Sequence, residues 1–487
     1  MKVFIINGKG ACVDCDTEYF NGTEWKKIAD YQEGDKVLQY NVDGTAELVY
    51  PNVYIENYQD KLNLFQNSFL DICVSDEHEC YYVTSKNNLY HKSFKELKQD
   101  FNNSKNGTNA RFITGFNYKG GNGLNLTDSE IKLMIAIIAD SHIRNYNTGY
   151  CFLNLKKEYK KEEFRNICKE GNIPYTEKQY NSMPGYSRFF VHAPIPEKYF
   201  SKIWYNCNKH QLELIADNIL KWDGNRKNEF YTNNKESADF IQFVFTALGK
   251  SANIHIFDRR GTKHYKTIEY CVSVSNRTLH ALNNDSRHPF RSICDYTTID
   301  GKSYCFNVPS HMWVCRRNNK IHITGNSGKD EFVNQLEQLT SVYRHSTIDT
   351  IKGIAEAHFG WDGEKDAKGR KLLSDLKIAS IEYNDMPHNE MKIAIDYAEQ
   401  SGQYDIFTCM IRDIPEIEKA VNDPDLRDKI VTILITSDRT KNNTYGNVAD
   451  DNVLNYVYDY YLDNSGTIDD LKEMARLLLI DLGVLKK

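Results

Sequence analysis

The sequence predicts a multidomain protein in which an α/β domain with a parallel sheet is split by a long insertion of all-β and α+β character. The chain has 487 residues, enough for two to four domains. Its two ends together alternate strand-like and helix-like segments, which is the pattern of a parallel-sheet domain. The middle instead holds short β-type runs separated by turn residues, and two apolar helical stretches.

The bulk composition is that of an ordinary water-soluble globular protein, with 40% hydrophobic and 26% charged residues. A net charge of −6 gives no support for a protein that coats nucleic acid throughout, although it permits a local basic face. The 12 cysteines are scattered, without a secretory leader, and no stretch approaches the roughly 18 apolar residues that span a membrane. We therefore expect a cytoplasmic protein with reduced thiols and no membrane partner.

The two ends of the chain supply the elements of the α/β domain. A buried strand is predicted at Lys2–Ile6 and is followed at once by a glycine-rich turn. After residue 326 the predicted elements are helices at Asp330–Tyr343, Met391–Gln400 and Leu471–Ile480, and strands at Ile406–Ile411 and Ile430–Ile435.

The middle of the chain has a different texture. Its predicted elements are strands at Lys36–Tyr40, Tyr81–Thr84, Ile268–Ser275 and Ser303–Val308, and helices at Asp128–Asp140 and Gln211–Trp222.

A phosphate-binding loop emerges when residues 12–326 are removed. Ala11 then joins Ser327, and the sequence reads Gly8-Lys9-Gly10-Ala11-Ser327-Gly328-Lys329-Asp330. This G-x-x-x-x-G-K pattern lies between a strand and a helix, which is the context that a phosphate cradle requires. The glycines let backbone N–H groups surround the phosphates, and the helix N-terminus favours anions. Lys329 is expected to contact the β- and γ-phosphates. Asp330 replaces the usual Ser or Thr, so its Mg²⁺ contact is direct or through water.

The ends of the removed segment carry four ordered sequence blocks. They are Cys12-Val13-Asp14-Cys15 onward to Leu38, Ser75-Asp76-Glu77-His78, Tyr304-Cys305-Phe306-Asn307-Val308 with His311-Met312-Trp313-Val314, and Lys320-Ile321-His322-Ile323-Thr324-Gly325-Asn326-Ser327. This arrangement resembles the inteins, self-splicing proteins of the Hint family with a compact β-fold. The resemblance implies that residues 12–326 excise themselves without a cofactor and join Ala11 to Ser327.

The resemblance also implies a role for each residue. Cys12 attacks the carbonyl of Ala11 to form a thioester, His78 protonates the departing nitrogen, and Ser75 helps to hold the oxyanion. Ser327 then takes the N-terminal segment as an ester, and Asn326 cyclises to release the intein. His311 assists the cyclisation, and Cys305 relays protons between the steps.

One position departs from the intein pattern. Most inteins have His immediately before the terminal Asn, whereas this chain has Gly325. His322 is a candidate substitute, and slower splicing or cleavage without ligation are alternatives. Other interpretations stay open: Cys12 and Cys15 as a redox pair or half a zinc site, His78 as a structural histidine, and Asn326-Ser327 as a turn.

The surplus residues of the segment contain two helices that end in acids. Ile131–Asp140 and Leu212–Gly224 resemble the paired motifs of the LAGLIDADG homing endonucleases, although Ser141 replaces a usual Gly. In that family the two helices pack together, so Asp140 and Asp223 are expected to bind Mg²⁺ and to activate water on double-stranded DNA. The DNA would be the intein-free allele of the host gene. The alternative for each acid is a helix-end or turn residue. The runs Lys156-Lys157, Lys160-Lys161, Arg226-Lys227 and Arg259-Arg260 suit phosphate contacts.

The rejoined host resembles P-loop nucleoside or deoxynucleoside monophosphate kinases, and also phosphomevalonate kinases of the same superfamily. ATP and Mg²⁺ are then the expected cofactors, and nucleotides the substrates. The candidate phosphate clamps are Arg370, Lys371, Arg412 and Arg439, each of which has a solvated surface charge as its alternative.

The predicted domains follow from these assignments. They are 1–11 (host), 12–108 (Hint, first part), 109–277 (endonuclease, α+β), 278–326 (Hint, second part) and 327–487 (host, P-loop α/β). The competing hypothesis is a multidomain nucleotide kinase that does not splice, or only cleaves, and carries an inert DNA-binding insertion.

Overall fold

The computed structural model describes residues 1–7, 12–57, 61–76, 78–84, 88–104, 108–225, 227–261, 267–283, 293–325, 328–361, 367–411, 413–436, 455–463 and 468–486. These residues form a mixed α/β multidomain structure with three units. We call them the parallel-sheet unit (1–7 and 328–486), the β-rich unit (12–118 and 279–325) and the insert unit (128–275). No helix of the described residues is long and apolar enough to cross a membrane.

The chain opens with strand β1 (Lys2–Asn7), which confirms the strand predicted at Lys2–Ile6. Val3, Phe4, Ile5 and Ile6 are fully buried. A run of four buried apolar residues is typical of a parallel strand that is covered on both faces.

The first part of the β-rich unit is a series of short strands with one helix. The predicted strands at Lys36–Tyr40 and Tyr81–Thr84 are found within it. Helix α1 departs from the expected all-β domain, and a reciprocal capping box between Ser93 and Glu96 stabilises its start. The elements are β2 (Glu18–Phe20), β3 (Trp25–Lys27), a 3-10 helix (Ile28–Asp30), β4 (Val37–Tyr40), β5 (Thr45–Val49), β6 (Asn52–Asn57), β7 (Leu62–Gln66), β8 (Asp71–Val74), β9 (Glu79–Val83), β10 (Leu89–Ser93), α1 (Phe94–Asn103), β11 (Arg111–Ile113) and β12 (Asn117–Tyr118).

The insert unit follows, and it contains the helices predicted at Asp128–Asp140 and Gln211–Trp222 and the strand predicted at Ile268–Ser275. Its elements are α2 (Asp128–Asp140), β13 (Ser141–Asn145), β14 (Tyr150–Leu155), α3 (Glu158–Glu170), β15 (Thr176–Gln179), β16 (Ser187–His192), a 3-10 helix (Lys202–Asn206), α4 (Lys209–Asp223), β17 (Glu229–Thr232), α5 (Lys235–Ala247), β18 (Ser251–Asp258) and β19 (Ile268–Ser275).

Two similar halves make up the insert unit. Helices α2 and α4 pack against each other, and each is followed by an antiparallel sheet. The first sheet has the order β13-β14-β16-β15 and the second the order β17-β19-β18. The strand order β17-β19-β18 of the second half therefore corresponds to β14-β16-β15 of the first. Among its described residues the second half has no counterpart of β13.

The chain then returns to the β-rich unit through β20 (Leu279–Ala281), β21 (Cys294–Tyr296), β22 (Lys302–Asn307), β23 (Met312–Arg317) and β24 (Lys320–Gly325). The sheet orders are β10-β9-β11-β20, β12-β5-β4-β23-β2-β3 with β24 beside β23, β21-β7-β8, and β22-β6. Strands β11 and β12 pair within these sheets, although the endonuclease domain was predicted to begin at residue 109. The domain boundaries stay a prediction, but this pairing favours an insert that begins after Tyr118.

The last segment completes the parallel-sheet unit. We predicted a helix over Asp330–Tyr343, but α6 ends at Leu339, because residues 342–345 pair in parallel with the neighbouring strand. The other predicted helices and strands of this segment are confirmed. The elements are α6 (Gly328–Leu339), β25 (Val342–His345), α7 (Asp349–Phe359), α8 (Ala367–Asn384), α9 (Met386–Ser401), β26 (Ile406–Cys409), α10 (Ile414–Asn422), β27 (Ile430–Thr436), β28 (Tyr460–Asp463) and α11 (Ile468–Asp481).

Strand β1 lies at the centre of the parallel sheet, in the order β25-β26-β1-β27-β28. Phe4 and Ile6 pack with α6 and α11 on one face, whereas Val3 and Ile5 pack with α9 and α10 on the other. Residues from both sides of the insertion therefore build one sheet, and an apolar layer covers each of its two faces.

Candidate functional site

Cys12 lies where three of the predicted sequence blocks meet. The backbone N–H of Cys12 donates to Ser75 Oγ at 3.2 Å, and the N–H of Ser75 donates to the carbonyl of Cys12 at 3.0 Å. The next residue, Val13, forms isolated β-bridges with Val74 and Tyr304. Cys12 is only 6% exposed, so its thiol is shielded from bulk water.

His78 connects this position to the far end of the inserted segment. Its Nε2 lies 2.5 Å from Thr324 Oγ1, and a backbone group of Cys12 interacts with the same imidazole. Thr324 belongs to β24, which ends at Gly325, one residue before Asn326. One buried histidine therefore lies between the two predicted splice junctions.

Burial lowers the pKa of His78 to about 4, and the charge of Glu79 and the backbone of Cys12 oppose this shift only in part. His78 is therefore neutral near pH 7 in this conformation. A neutral imidazole both accepts and donates a proton, so it can take a proton from a thiol and pass one to a departing nitrogen.

A buried ion cluster beneath Cys12 was missed by the sequence analysis. Arg317 Nη2 donates to Asp14 Oδ2 at 2.8 Å, and Nη1 of the same guanidinium binds the Asp71 carboxylate. Both carboxylates are completely buried. Desolvation lowers the pKa of Arg317, but the hydrogen bond and charge of Asp14 and the charge of Asp71 outweigh it and raise the pKa overall. The pair Arg316-Arg317 in an otherwise apolar strand was the available signal.

His322 faces the interior of the same unit. Its Nε2 lies 3.2 Å from Cys315 Sγ, across the β23–β24 pairing. Burial, followed by the nearby His78, lowers the pKa of His322 to about 3. The imidazole of His322 is therefore neutral near pH 7, and a charge on His78 would act on it.

The remaining predicted splicing residues lie on β22 and just before β23. Cys305 is buried in β22, with its Sγ 3.8 Å from the carbonyl of Phe306. His311 is 4% exposed and has a φ of 57°, in the left-handed region that non-glycine residues rarely occupy. Such a constrained backbone is a feature of functional positions. Asn326 and Ser327 lie outside the described residues.

The packing around Gly325 leaves no room for a side chain. A Cβ placed on this residue would lie 2.4 Å from Tyr81 Cε2 and 2.6 Å from the carbonyl oxygen of Glu79. Because one of these neighbours is backbone, rotation of a side chain cannot relieve the overlap. This contact gives a physical reason for glycine where the intein pattern has histidine.

Asp140 and Asp223 end the two packed helices of the insert unit, α2 and α4. Burial, and then the charge of Asp140, raise the pKa of Asp223 to about 6, while Lys160 and Lys198 lower it. The two carboxylates are thus near enough to repel each other, as expected for paired acids at one site.

Lys160 is the partner that the sequence analysis missed here, because it was predicted to contact phosphate. Its ammonium binds the Asp140 carboxylate and donates to the carbonyl of Trp222 at 2.6 Å. Among the described residues no cluster of three or more His, Cys, Asp or Glu forms a ready metal cage. Two carboxylates with water and phosphate oxygens nevertheless suit Mg²⁺, which keeps several water ligands.

Aromatic and basic side chains alternate on one face of the first insert sheet. Phe152 and Phe190 project from adjacent strands, and Arg188 lies 4.5 Å above the Phe152 ring, while Arg144 lies 5.0 Å from it. Arg259 and Arg260 were also predicted to contact phosphate. In the structure Arg259 pairs with Glu269 and Arg260 pairs with Asp258. Their charges are locally compensated.

The candidate phosphate-binding residues of the host are only partly within the described chain. Helix α6 begins at Gly328, so the backbone of Gly328, Lys329 and Asp330 forms its first turn. Gly8, Gly10, Ser327, Arg412 and Arg439 lie outside the described residues. Lys371 forms an exposed i,i+4 ion pair with Asp375, which agrees with a solvated surface charge.

No protein-family model matches the chain. The chain is 23% identical over 429 residues to the ribonucleoside-diphosphate reductase subunit beta of Aquifex aeolicus (strain VF5), a match that covers 78% of this chain. It spans 59% of the length of that curated relative.

Three solved structures are similar over part of the chain. I-DmoI in complex with its target DNA is 14% identical, covering 30% of this chain and 88% of that one, with a TM-score of 0.23. Full-length DUF199/WhiA from Thermatoga maritima is 13% identical, covering 31% and 53%, with a TM-score of 0.22. The AceL NrdHF class 3 split intein is 18% identical, covering 21% and 62%, with a TM-score of 0.17. Likenesses at these TM-scores do not establish a shared fold.

Proposed function

We propose that residues 12–326 are an intein that excises itself and joins Ala11 to Ser327. The observation that carries this proposal is the chain of contacts from Cys12 to Thr324. Cys12 and Ser75 exchange two hydrogen bonds, the N–H of His78 donates to the carbonyl of Ser75, and His78 Nε2 lies 2.5 Å from Thr324 Oγ1. A second support is the parallel sheet, whose central strand precedes the segment and whose other strands follow it. The loop that follows β1 would lead directly into α6 only after residues 12–326 are removed.

The first step is an N-to-S acyl shift at Cys12. The Cys12 sulfur forms a bond to the Ala11 carbonyl carbon, and the carbon–nitrogen bond between the two residues breaks. A neutral base accepts the thiol proton, and His78 donates a proton to the departing nitrogen. The Ser75 hydroxyl oxygen accepts from the N–H of Cys12, and the N–H of Ser75 donates to the carbonyl of Cys12. Ser75 thus lies beside the nucleophile, and its O–H is the proposed donor to the oxyanion.

The later steps transfer the N-terminal segment and release the intein. Ser327 Oγ attacks the thioester carbon, loses its proton and frees the Cys12 thiol, which regains one. Asn326 Nδ2 then attacks the carbonyl carbon of its own residue, and the bond to the Ser327 nitrogen breaks as that nitrogen takes a proton. His311 and Cys305 are the proposed proton carriers for these steps, and His322 is a second candidate. The ester finally rearranges to the amide.

Intact mass of the expressed chain tests splicing directly. We expect a 315-residue product and a 172-residue ligated product from the wild type, and only full-length protein from a Cys12→Ala/Asn326→Ala variant. Full-length wild type after prolonged incubation would support the alternative, a kinase with an inert insertion. Fragments without the ligated product would support cleavage alone.

We also propose that the insert unit is a DNA endonuclease of the LAGLIDADG type. The supporting observation is the pair Asp140 and Asp223 at the ends of two packed helices, where burial and then the charge of Asp140 raise the pKa of Asp223. These carboxylates would hold Mg²⁺, which supplies charge stabilisation and an activated water. The face that bears Arg144, Arg188 and Phe152 would contact double-stranded DNA.

Cleavage of a plasmid that carries the rejoined host gene tests this activity. We expect one Mg²⁺-dependent double-strand cut near the insertion point with wild type, and none with Asp140→Asn. The variant should still bind that DNA, because Arg144, Arg188 and Phe152 are unchanged in it. A cut that persists in the variant would exclude Asp140 as a metal ligand.

The rejoined host is proposed to be an ATP-dependent nucleotide kinase. Support comes from β1 as the central parallel strand and from α6, whose first turn carries Gly328, Lys329 and Asp330. In open parallel sheets ligands bind beyond the carboxyl ends of the strands, where the strand order reverses, and this is where β1 ends. We expect the ligated protein to turn over ATP with a member of a panel of nucleoside monophosphates, and its Lys329→Met variant to turn over ATP more slowly. Equal turnover would count against the loop.

A further inference from the structure

Another buried histidine, His91, lies on the same side of the β-rich unit as Gly325 and outside the four sequence blocks. His91 is on β10, directly opposite Tyr81 on β9, and the two rings stack with their centroids 5.7 Å apart. Tyr81 is the residue whose ring edge closes the space beside Gly325. His91, Tyr81 and Gly325 therefore form a continuous row of contacts.

Glu79 fixes the orientation of His91. Its Oε2 lies 2.8 Å from His91 Nδ1, and both side chains are almost completely buried. The backbone carbonyl of the same residue is the second group that abuts Gly325. Glu79 thus contacts the junction through its backbone and holds His91 through its carboxylate.

The other ring nitrogen of His91 gives independent evidence for a function. His91 is 4% exposed, and its Nε2 has no hydrogen-bond partner among the described residues. Buried polar atoms are nearly always paired, because an unpaired one forfeits its hydration without compensation. Together with the contact between Tyr81 and Gly325, this unpaired nitrogen supports a role for His91 beyond packing.

We propose that the Glu79–His91 pair, acting through the Tyr81 ring, positions the C-terminal splice junction for cyclisation of Asn326. This assignment rests on the proposed splicing function and deepens it. His91 is a positioning residue: it fixes Tyr81, which in turn fixes Gly325, the residue that precedes Asn326 in the sequence. The packing excludes a side chain at position 325, so the support for the junction comes from β9 and β10 instead.

The two splicing steps can be measured separately in the full chain. In a Cys12→Ala background only Asn326 cyclisation is possible, and it releases residues 327–487. In an Asn326→Ala/Ser327→Ala background the thioester forms but can be neither transferred nor followed by cyclisation, and a thiol reagent reports it by cleavage between Ala11 and Cys12. Each background is combined with His91→Phe, which keeps a stacked ring but removes the partner of Glu79. His91→Gln is the conservative variant, because its amide N–H can still donate to Glu79.

We expect His91→Phe to slow the release of residues 327–487 about tenfold or more, because small displacements of reacting groups have large effects on rate. The thioester step should change by less than about twofold. The tenfold change expected in the release step corresponds to a barrier that is about 1.36 kcal/mol higher. His91→Gln should recover part of the lost rate. Glu79→Gln is a poorer probe, because the charge of Glu79 also acts on His78.

His280→Phe is the matched control. His280 is also buried, stacks on Phe69 at 4.3 Å and lies in the same sheet, on β20, but away from Gly325. It should leave the ratio of the two steps unchanged. Equal slowing of both steps by His91→Phe, or no rescue by His91→Gln, would overturn the proposal. Absence of both steps in the parent backgrounds would instead overturn splicing itself.

Discussion

The guanidinium of Arg316 joins the β-rich unit to the insert unit by donating to Asp239 Oδ1 at 2.5 Å and to Glu18 Oε2 at 2.6 Å. Arg316 lies on β23, Glu18 on β2 and Asp239 on α5, and the guanidinium is centred 4.7 Å from the Trp25 ring. The apolar core is also continuous here, since Phe20 stacks on Phe243 of α5 with centroids 4.4 Å apart. The insert unit is therefore packed into the β-rich unit and not merely tethered to it.

Replacement of Arg316 by Leu should destabilise both units together. Glu18 loses the guanidinium that pairs with it, and Asp239, among the described residues, keeps only its ion pair with Lys235. A broken buried ion pair costs about 3–5 kcal/mol. Urea unfolding of a Cys12→Ala precursor, followed by tryptophan fluorescence, measures the change. Arg344→Leu is the control, because its ion pair with Glu337 is exposed and is worth at most about 1 kcal/mol. Equal effects of the two variants would contradict a buried network.

Acid should destabilise the β-rich unit through its neutral histidines. The pKa of His78 falls from 6.5 to about 4 on folding, and that of His322 to about 3. The unfolded chain therefore binds more protons between these values, so stability falls as the pH is lowered through this window. The thermal midpoint of a Cys12→Ala/Asn326→Ala precursor should drop from pH 7 to pH 4.

The variants His78→Gln and His322→Gln should each flatten that slope, because a group that does not titrate removes its share of the linkage. His192→Gln provides the control, as His192 is exposed on β16. An unchanged slope in both buried variants would mean that other groups dominate the acid sensitivity.

Lys160 should set the pH dependence of metal binding in the insert unit. Asp223 must ionise to bind a cation, and its pKa of about 6 predicts that affinity for Mn²⁺ rises as the pH passes upward through that value. Lys160 lowers the pKa of Asp223, so Lys160→Met should move the midpoint of this rise to higher pH. Isothermal titration at several pH values gives the midpoint, with Lys157→Met as a neighbouring exposed control.

The sequence analysis singled out Cys12, Ser75 and His78, which the structure brings together, and Asp140 and Asp223, which end two packed helices. Each stands in an ordered block or at the end of an apolar helix, and their roles stay predictions. Arg317 and His91 were not predicted, and Lys160 was predicted to contact phosphate and not Asp140. Each pairs with a residue on another element, and the separation reaches 303 positions between Arg317 and Asp14. Charge pairing over such separations is decided by strand register and burial, which local patterns do not encode. The first two residues of β25, Val342 and Tyr343, were predicted as helix for the same reason: their pairing with β26 overrode the local amphipathic pattern.

Substitution of Gly325 by Ala tests the packing argument at the junction. The added methyl would overlap the Tyr81 ring and the carbonyl oxygen of Glu79, and overpacking of this kind costs about 1–3 kcal/mol. The strand end must shift to relieve the overlap, so we expect slower release of residues 327–487 together with a lower thermal midpoint.

The control is Gly353→Ala in helix α7, where no atom lies within 4 Å of the added methyl. That change should be neutral or stabilising by up to about 1 kcal/mol, since Ala has the higher helix propensity. Histidine at position 325, although usual in inteins, should impair release more than Ala, because the same Cβ overlap is joined by an imidazole. Faster release with His than with Gly would show that β9 can withdraw from the junction and that Tyr81 does not determine the identity of this residue.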